Sequence, residues 1–379
     1  MKPISVYIHV PFCEKKCTYC DFYSIERLEH RSTFVDTVIR ELRLRQPAIP
    51  DTRAATVFFG GGTPTLLTRD QIARIMDEVP EPLSNAEITM EANPGTVTRE
   101  SLAGYRATGI NRLSVGVQSM QPDELQFLTR IHSPEQARQA VRNAQDVGFE
   151  NINMDIMFAV PGQTLLSLES TLRQVLDLHP THISAYSLIY EQGTPLYRQL
   201  HSGAIHAVPD SADAEMYQLV CTMLTDCGYE QYEVSNFALP GFRCKHNLAY
   251  WHACNYLSVG PSAHGLLEGM RYWNHRSLTS WTQLVKSGQL PQANTEILSR
   301  EQQVDEILFL TLRADGIPLN DIFSTYNINL RDSIPADFVS DLISGGFLID
   351  SGDVWRLTPK GYAVCDEITV RLLSFVSQS

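Results

Sequence analysis

The sequence has few positive charges and no long apolar run. Its 379 residues include 30 Lys and Arg against 43 Asp and Glu, which gives a formal net charge of −13. Nucleic-acid binders need dense positive surfaces, so this balance argues against a nucleic-acid partner. No apolar run reaches the roughly 18 residues that cross a bilayer, and no N-terminal signal is visible. We expect a cytoplasmic protein without a transmembrane segment, and peripheral membrane contact stays open.

A fourth cysteine is missing from the tightest cysteine cluster. Cys13, Cys17 and Cys20 lie in PFCEKKCTYCDF with the spacing C-x₃-C-x₂-C, and Phe22 stands two places after the third. In a reducing compartment such a cluster indicates metal rather than disulfides. Structural zinc takes four protein ligands and would need another, such as His9. An iron–sulfur cube on three thiolates would keep one iron open. We favour the open cube; zinc and unrelated thiols are the alternatives.

Six apolar, strand-like runs alternate with amphipathic stretches in the first half of the chain. Their starts lie roughly 30 residues apart, which is the length of a βα unit. The series predicts an α/β fold with a parallel sheet, doubly wound or curled into part of a barrel. The predicted strands are 4–10, 55–60, 87–92, 112–118, 152–160 and 182–190.

The pattern changes after residue 195. Residues 196–298 are predicted to be an irregular extension rich in Tyr, Trp, His and Gly. In 299–379, helical stretches surround two short strands, which indicates a smaller α+β domain similar to a winged helix. Its stretch IPADFVSDLISGG has no Lys or Arg, so a structural cap is favoured over DNA binding. The predicted domains are therefore 1–195, 196–298 and 299–379.

Polar residues lie at or near the ends of predicted strands. Glu91, Gln118 and Asp155 interrupt apolar runs, where burial is costly without partners. The glycines of GGGTP (60–64) allow main-chain N–H groups to approach a ligand closely. Parallel barrels collect functional groups at the carboxyl ends of their strands, so we expect one shared site. Taken singly, each feature is also explained as a core polar group or a tight turn.

The cysteine motif after the first strand resembles that of the radical S-adenosylmethionine (SAM) superfamily. The resemblance implies a partial (β/α)6 barrel of parallel strands over 1–195 and a [4Fe-4S] cluster on Cys13, Cys17 and Cys20. It also implies that SAM binds the open iron and that the cluster supplies the electron that cleaves it. The residues that it implies for SAM contact are Tyr7, Tyr19, Gly61, Gly62, Thr63, Glu91, Gln118, Arg130 and Asp155. Without the resemblance, Arg130 is equally well explained as a surface arginine.

Several segments resemble the oxygen-independent coproporphyrinogen III dehydrogenase branch of that superfamily, among them MEANP, GVQSM and MDIMFAVPGQT. The branch contains dehydrogenases and a group of heme chaperones. The dehydrogenases have a further cysteine where this sequence has Phe22, and a long segment before the cluster, which here begins at residue 13. CKHNLAYWHAC (244–254) resembles the H-N-x-x-Y-W heme motif of the chaperones. The implied heme residues are His246, Asn247, Tyr250 and Trp251.

Two functions follow from this resemblance. The first is a heme chaperone, monomeric or homodimeric, that transfers heme to heme-requiring proteins and carries the cluster and SAM. The alternative is a coproporphyrinogen III dehydrogenase, disfavoured by Phe22 and the short N-terminus, so enzymatic activity stays open. Imidazole is a common axial ligand of heme iron. An aromatic loop with a satisfied histidine is the structural alternative for the motif, and nothing in the sequence selects Cys244, His252 or Cys254 as ligands.

Overall fold

The structure is a computed structural model that describes residues 2–376. The strands are β1 (Lys2–Val10), β2 (Thr52–Gly61), β3 (Pro82–Ala92), β4 (Arg112–Gln118), β5 (Asn151–Phe158), β6 (His182–Ser187), β7 (Glu230–Gln231), β8 (Asn236–Ala238), β9 (Tyr256–Val259), β10 (His264–Leu267), β11 (Met270–Asn274), β12 (Gln292–Ile297), β13 (Ile317–Pro318), β14 (Leu348–Asp350) and β15 (Val354–Leu357). The α-helices are α1 (Arg31–Arg45), α2 (Arg69–Met76), α3 (Arg99–Ala107), α4 (Pro122–Phe127), α5 (Pro134–Asp146), α6 (Leu165–Leu176), α7 (Pro195–His201), α8 (Asp210–Asp226), α9 (Lys245–Trp251), α10 (Leu278–Lys286), α11 (Arg300–Leu312), α12 (Leu319–Tyr326), α13 (Leu330–Ser333), α14 (Ala336–Ser344), α15 (Pro359–Tyr362) and α16 (Cys365–Val376).

The chain forms two compact units. The first extends to Met223 and includes Asn255–Glu296, and the second consists of Leu224–Cys254 and the residues from Ile297 onward. Residues 196–298 therefore contribute to both units. They were predicted to be irregular, but they contain helices α7 to α10 and strands β7 to β12.

Strands β1 to β6 of the first unit pair in parallel in chain order. Helices begin where the sequence supplies capping boxes: Thr68 caps α2, Thr98 caps α3, Ser133 caps α5 and Thr164 caps α6. In each box the side chains of the cap and of the third helical residue satisfy main-chain N–H groups that the first helical turn leaves free. The predicted α/β class and its six parallel strands are confirmed.

The same sheet continues beyond β1 in the order β12-β11-β10-β9-β1. β9 pairs in parallel with β1, and β10 pairs antiparallel with both β9 and β11. These strands are short and lie among glycines and aromatic residues, so they show too little alternation to be recognised in the sequence. Gly260, directly after β9, has φ +104° and packs closely on β1. A Cβ at this position would lie 2.5 Å from the carbonyl oxygen of His9, so the close approach requires glycine.

A buried ion pair fastens α1 to these added strands. The Glu41 carboxylate accepts hydrogen bonds from Arg45 Nε at 2.8 Å, Trp281 Nε1 at 2.8 Å and the main-chain N–H of Gly260 at 2.9 Å. Asn274 Nδ2 donates to it at 2.7 Å and Asn274 Oδ1 accepts from Arg45. Every partner is buried, so the carboxylate has exchanged water for four protein donors.

The second unit contains α9, α11 to α16 and the three-stranded antiparallel sheet β13-β15-β14. Leu308, Leu312, Trp355 and Leu372 are buried in it. Its residues 299–376 match the predicted small α+β domain, with a hairpin formed by β14 and β15. In the chain between residues 2 and 376, no helix combines the length and the apolar character needed to cross a bilayer.

Glu41→Ala should lower the free energy of unfolding by about 3–5 kcal/mol, because it leaves the Arg45 guanidinium buried without its carboxylate. Urea unfolding followed by tryptophan fluorescence measures this change. The exposed Glu150→Ala serves as the control and should shift the free energy by less than about 0.5 kcal/mol. Equal stability of the two variants would contradict the role of the ion pair.

Candidate cofactor site at the carboxyl ends of the strands

The three cluster cysteines lie on one closed loop after β1. The N–H of Cys13 donates to the carbonyl of Ile25 at 3.0 Å, and the N–H of Ile25 donates to that of Pro11 at 2.7 Å. These two bonds bring the start and the end of the loop together. Cys13, Cys17 and Cys20 are free thiols of intermediate exposure, so each is partly accessible on this loop.

The glycine run at the end of β2 is joined to this loop by main-chain hydrogen bonds. Gly62 N–H donates to Val10 O at 2.8 Å, and Thr63 N–H donates to Phe12 O at 2.6 Å. A Cβ at position 62 would lie 2.6 Å from Phe12 O, so the close approach requires glycine. Thr63 Oγ1 lies 3.8 Å from Cys13 Sγ. The structure therefore brings the GGGTP segment directly against the cysteine loop.

Arg130 reaches the same place from the segment after α4. Its Nη1 lies 3.7 Å from Cys17 Sγ and its Nη2 donates to Gly116 O at 2.8 Å. The explanation of Arg130 as a surface arginine is therefore wrong. Tyr19, between two of the cysteines, packs against an apolar cluster that includes Leu188.

Glu91 and Asp155 face the same side of the sheet. Strand register places Glu91 opposite Ser114, and Asp155 opposite Gly116, two residues further along the same strand. Burial, and then the charge of Asp155, raise the pKa of Glu91 to about 8, and burial also raises the pKa of Asp155. The Gly61 N–H donates to Glu91 Oε2 at 3.1 Å. A cationic ligand placed beside these two carboxyl groups would favour their ionised forms.

Gln118, the last residue of β4, has a left-handed backbone conformation with φ 67°. It is buried, and the pairing with β5 shifts register between Gly116 and Gln118. Its Oε1 accepts a hydrogen bond from the Tyr186 hydroxyl at 3.0 Å. Such strain in a residue other than glycine persists only where its surroundings enforce it, and it concentrates at ligand sites.

Asp155 is supported by a polar network that was not predicted from the sequence. Asn153 Nδ2 donates to Asp155 Oδ1 at 2.7 Å and to Ser114 Oγ at 2.7 Å. His182 Nδ1 donates to Asn153 Oδ1 at 2.6 Å, and Ser184 Oγ donates to it at 3.2 Å. The signal was present, because polar residues recur at every second position of β5 and β6 and must share one face.

His9 does not complete a zinc site. Its Nε2–H donates to Tyr23 O at 2.8 Å, so its Nδ1 accepts from the Tyr7 hydroxyl at 3.2 Å. Both nitrogens are therefore engaged. Within residues 2–376, no group of three or more His, Cys, Asp or Glu side chains is placed to hold a single metal ion. Three free thiols on one loop fit three corners of an iron–sulfur cube. Phe22, in the place of a further cysteine, is 65% exposed.

The H-N-x-x-Y-W motif lies on α9, in the second unit. His246 is only 1% exposed, and its Nε2 lies 2.9 Å from the Tyr250 hydroxyl, one helical turn further along. Asn247, Tyr250 and Trp251 are of intermediate exposure. The Trp251 side chain also hydrogen-bonds the buried Glu233, whose pKa burial raises to about 7.

Just after this helix, His252 and Cys254 are exposed. His252 Nε2 lies 3.1 Å from Asp315 Oδ2, whereas Cys244, at the start of the helix, is buried.

Comparison with known proteins agrees with this geometry. The model of the radical SAM superfamily matches residues 7–175, and that of the HemN C-terminal domain matches residues 298–364. The heme chaperone HemW of Bacillus subtilis is 35% identical over 96% of this chain and 97% of its own. This chain belongs to the HemW family of radical SAM proteins. HemW of Escherichia coli is 32% identical over 95% of this chain and 96% of its own.

A solved structure has the same fold as this chain. Coproporphyrinogen III oxidase (HemN) from Escherichia coli, a radical SAM enzyme, superimposes with a TM-score of 0.85 at 22% identity. The match covers 99% of this chain and 91% of that chain, and it establishes the fold. Membership of the radical SAM superfamily gives the chain a [4Fe-4S] cluster and SAM as cofactors.

In the absence of SAM, the wild-type protein should lose stability as the pH rises, and Glu91→Gln should remove this loss. The unfolded carboxyl ionises near pH 4.5, whereas the folded one keeps its proton until about pH 8, so unfolding releases a proton between these values. Wild-type stability should therefore fall relative to the variant by up to about 1.4 kcal/mol per pH unit in this window. Thermal unfolding of both proteins at pH 5, 6.5 and 8 measures the difference. Parallel pH profiles would show that the folded carboxyl is not protonated.

Proposed function

We propose that this chain is a heme chaperone, which binds heme and transfers it to heme-requiring proteins, and which holds a [4Fe-4S] cluster and SAM. The observation that carries the proposal is the similarity, over nearly the whole chain, to relatives named heme chaperones. Phe22 supports it, because an exposed phenyl ring supplies no thiolate beside the cluster loop. The free state of all eight cysteines suits a reducing compartment, so we place the protein in the cytoplasm.

Cys13, Cys17 and Cys20 would hold the cluster and leave one iron for SAM. When bound, the cluster supplies an electron to SAM. Thr63 Oγ1 and Arg130 Nη1 lie 3.8 Å and 3.7 Å from two of the sulfurs, so they would donate to the thiolates and favour their charged form.

The remaining residues proposed for SAM are Tyr7, Tyr19, Gly61, Gly62, Glu91, Gln118 and Asp155. The Gly62 N–H donates to Val10 O and the Gly61 N–H donates to Glu91 Oε2, so neither is free for a ligand. A ligand in this turn would instead contact the Glu91 carboxylate. Glu91 and Asp155 would accept hydrogen bonds from a cationic cofactor. The supporting bonds from Asn153 would hold Asp155 in one orientation while it does so.

We propose that α9 provides a contact for heme through Tyr250 and Trp251, with His246 and Asn247 in support. Flat aromatic side chains bury the apolar face of a macrocycle. The buried His246 holds the Tyr250 hydroxyl at 2.9 Å, and its ring stands nearly perpendicular to the tyrosine ring, at 82°. In this arrangement His246 orients Tyr250.

Reconstitution with ferrous iron and sulfide under anaerobic conditions should give brown protein with about four irons per chain. Cys20→Ala should retain fewer irons, because it removes one of three ligands. Cys227→Ala, which removes an exposed thiol elsewhere, is the matched control and should bind as wild type does. Iron analysis measures the outcome, and uptake of a single zinc by the wild type would contradict the cluster.

Hemin added to the reconstituted protein should give a stable Soret band. Trp251→Ala should weaken hemin binding roughly 5- to 10-fold, the loss of about 1–1.5 kcal/mol of aromatic contact. Tyr326→Ala in the same unit is the aromatic control and should bind as wild type does. Thermal unfolding of each variant establishes that it is folded. A wild type that takes up no hemin would overturn the chaperone proposal.

The dehydrogenase alternative predicts a different product. With SAM, a reductant and coproporphyrinogen III under anaerobic conditions, we expect no release of carbon dioxide above the background without protein. Release that depends on SAM and on Cys17 would favour the enzyme.

A further inference from the structure

The antiparallel pair β10 and β11 presents a histidine stacked on a tryptophan. His264 and Trp273 are opposite each other in the pairing, and their rings are 5.8 Å apart with an interplanar angle of 18°. His264 is exposed, and nothing in residues 2–376 forms a hydrogen bond with its ring nitrogens. The neutral imidazole is the form that ligates metals, and partial burial of the ring favours that form by lowering the pKa of His264.

The two rings are held on a rigid element. Tyr272 and Asn274, on either side of Trp273, point into the unit and are buried. The Tyr272 hydroxyl donates to Ser258 O at 2.9 Å, and Asn274 Nδ2 donates to Gly260 O at 2.8 Å. Because neighbours in a strand face opposite sides, these anchors direct Trp273 outward. His264 is therefore presented with little conformational freedom left to lose on binding.

Arg276, shortly after the stacked pair in the chain, contacts the cysteine loop. Arg276, two residues after β11, donates from Nη2 to Asp21 O at 3.0 Å, and Asp21 directly follows Cys20. This bond holds the Arg276 guanidinium at the end of the cysteine loop, three residues along the chain from Trp273. The Arg276 side chain is 61% exposed and keeps further N–H donors.

These three side chains match the chemistry of heme. A free imidazole ligates iron, an indole supports a flat apolar group and a guanidinium pairs with a carboxylate. By contrast, the imidazole of His246 is buried and engaged with Tyr250.

We propose that His264, Trp273 and Arg276 form a heme contact on the first unit, in which His264 ligates the iron, Trp273 supports its imidazole and Arg276 pairs with a propionate. This inference rests on the proposed chaperone function and deepens it by naming the iron ligand.

Hemin titration of the reconstituted protein tests the proposal, followed by difference absorption and by electron paramagnetic resonance of the ferric heme, which report imidazole ligation. His264→Ala should bind hemin at least 10-fold more weakly and lose the signal of imidazole ligation. Added imidazole should restore that signal, which a merely structural role would not allow. Arg276→Ala should weaken binding but keep the signal, because the iron ligand remains.

His201→Ala is the matched control. His201 is exposed and also stacks on an aromatic ring, that of Tyr197, with centroids 4.2 Å apart. It should bind hemin as wild type does. His264→Gln, which keeps a polar side chain at the exposed position, should lose the signal as the alanine variant does, and thermal unfolding establishes that each variant is folded.

The outcomes separate this inference from the proposed function. A wild type that takes up no hemin overturns both. If the wild type binds hemin but His264→Ala keeps the full signal of imidazole ligation and His246→Ala loses it, the ligand assignment is overturned while the chaperone proposal stands.

Discussion

The junction between the cysteine loop and the end of β2 is the constraint on which the rest of the site depends. Two main-chain hydrogen bonds, from Gly62 to Val10 and from Thr63 to Phe12, fix the loop to the sheet. They require a glycine at 62, where any Cβ would collide with Phe12 O. Because main-chain atoms make the junction, the thiols are held near Thr63 and Arg130 by the fold itself. A site on rigid elements loses little conformational entropy when a cofactor binds.

The site contains groups that are unfavourable for folding, and contacts elsewhere in the fold compensate for them. Glu91 and Asp155 share one face of the sheet with raised pKa values, and Gln118 has a strained φ of 67°. None of these features stabilises the protein without a ligand, since each is a buried acid or an unfavourable backbone conformation. On the other side of β1, the fully paired Glu41–Arg45 network joins α1 to the added strands. A binding protein is expected to have strained or unfavourable groups at its ligand site and well-satisfied contacts elsewhere.

Much of the parallel sheet β1 to β6, and the place of the candidate site at its carboxyl ends, could be predicted from local sequence patterns. β1, β3 and β4 end at the predicted residues 10, 92 and 118, because a buried parallel strand is read as a nearly continuous apolar run. The added strands β9 to β11 could not be predicted in this way, because they are stabilised by pairing with β1 and by contacts with Glu41, which is distant in sequence. The same holds for Arg130, whose contact with Cys17 spans more than a hundred residues. The contact of His246 with Tyr250 had a signal, the i, i+4 spacing on one helix.

We propose that three thiolates hold the cluster and leave one iron open for SAM at the carboxyl ends of the strands. Electron–nuclear double resonance of the reduced cluster, with SAM labelled by ¹⁵N at its methionine amino group, tests it most directly. We predict a ¹⁵N coupling to the cluster in the wild type, and a weaker or absent coupling in Glu91→Gln. A reduced cluster that shows no coupling to labelled SAM at saturating concentration would contradict it.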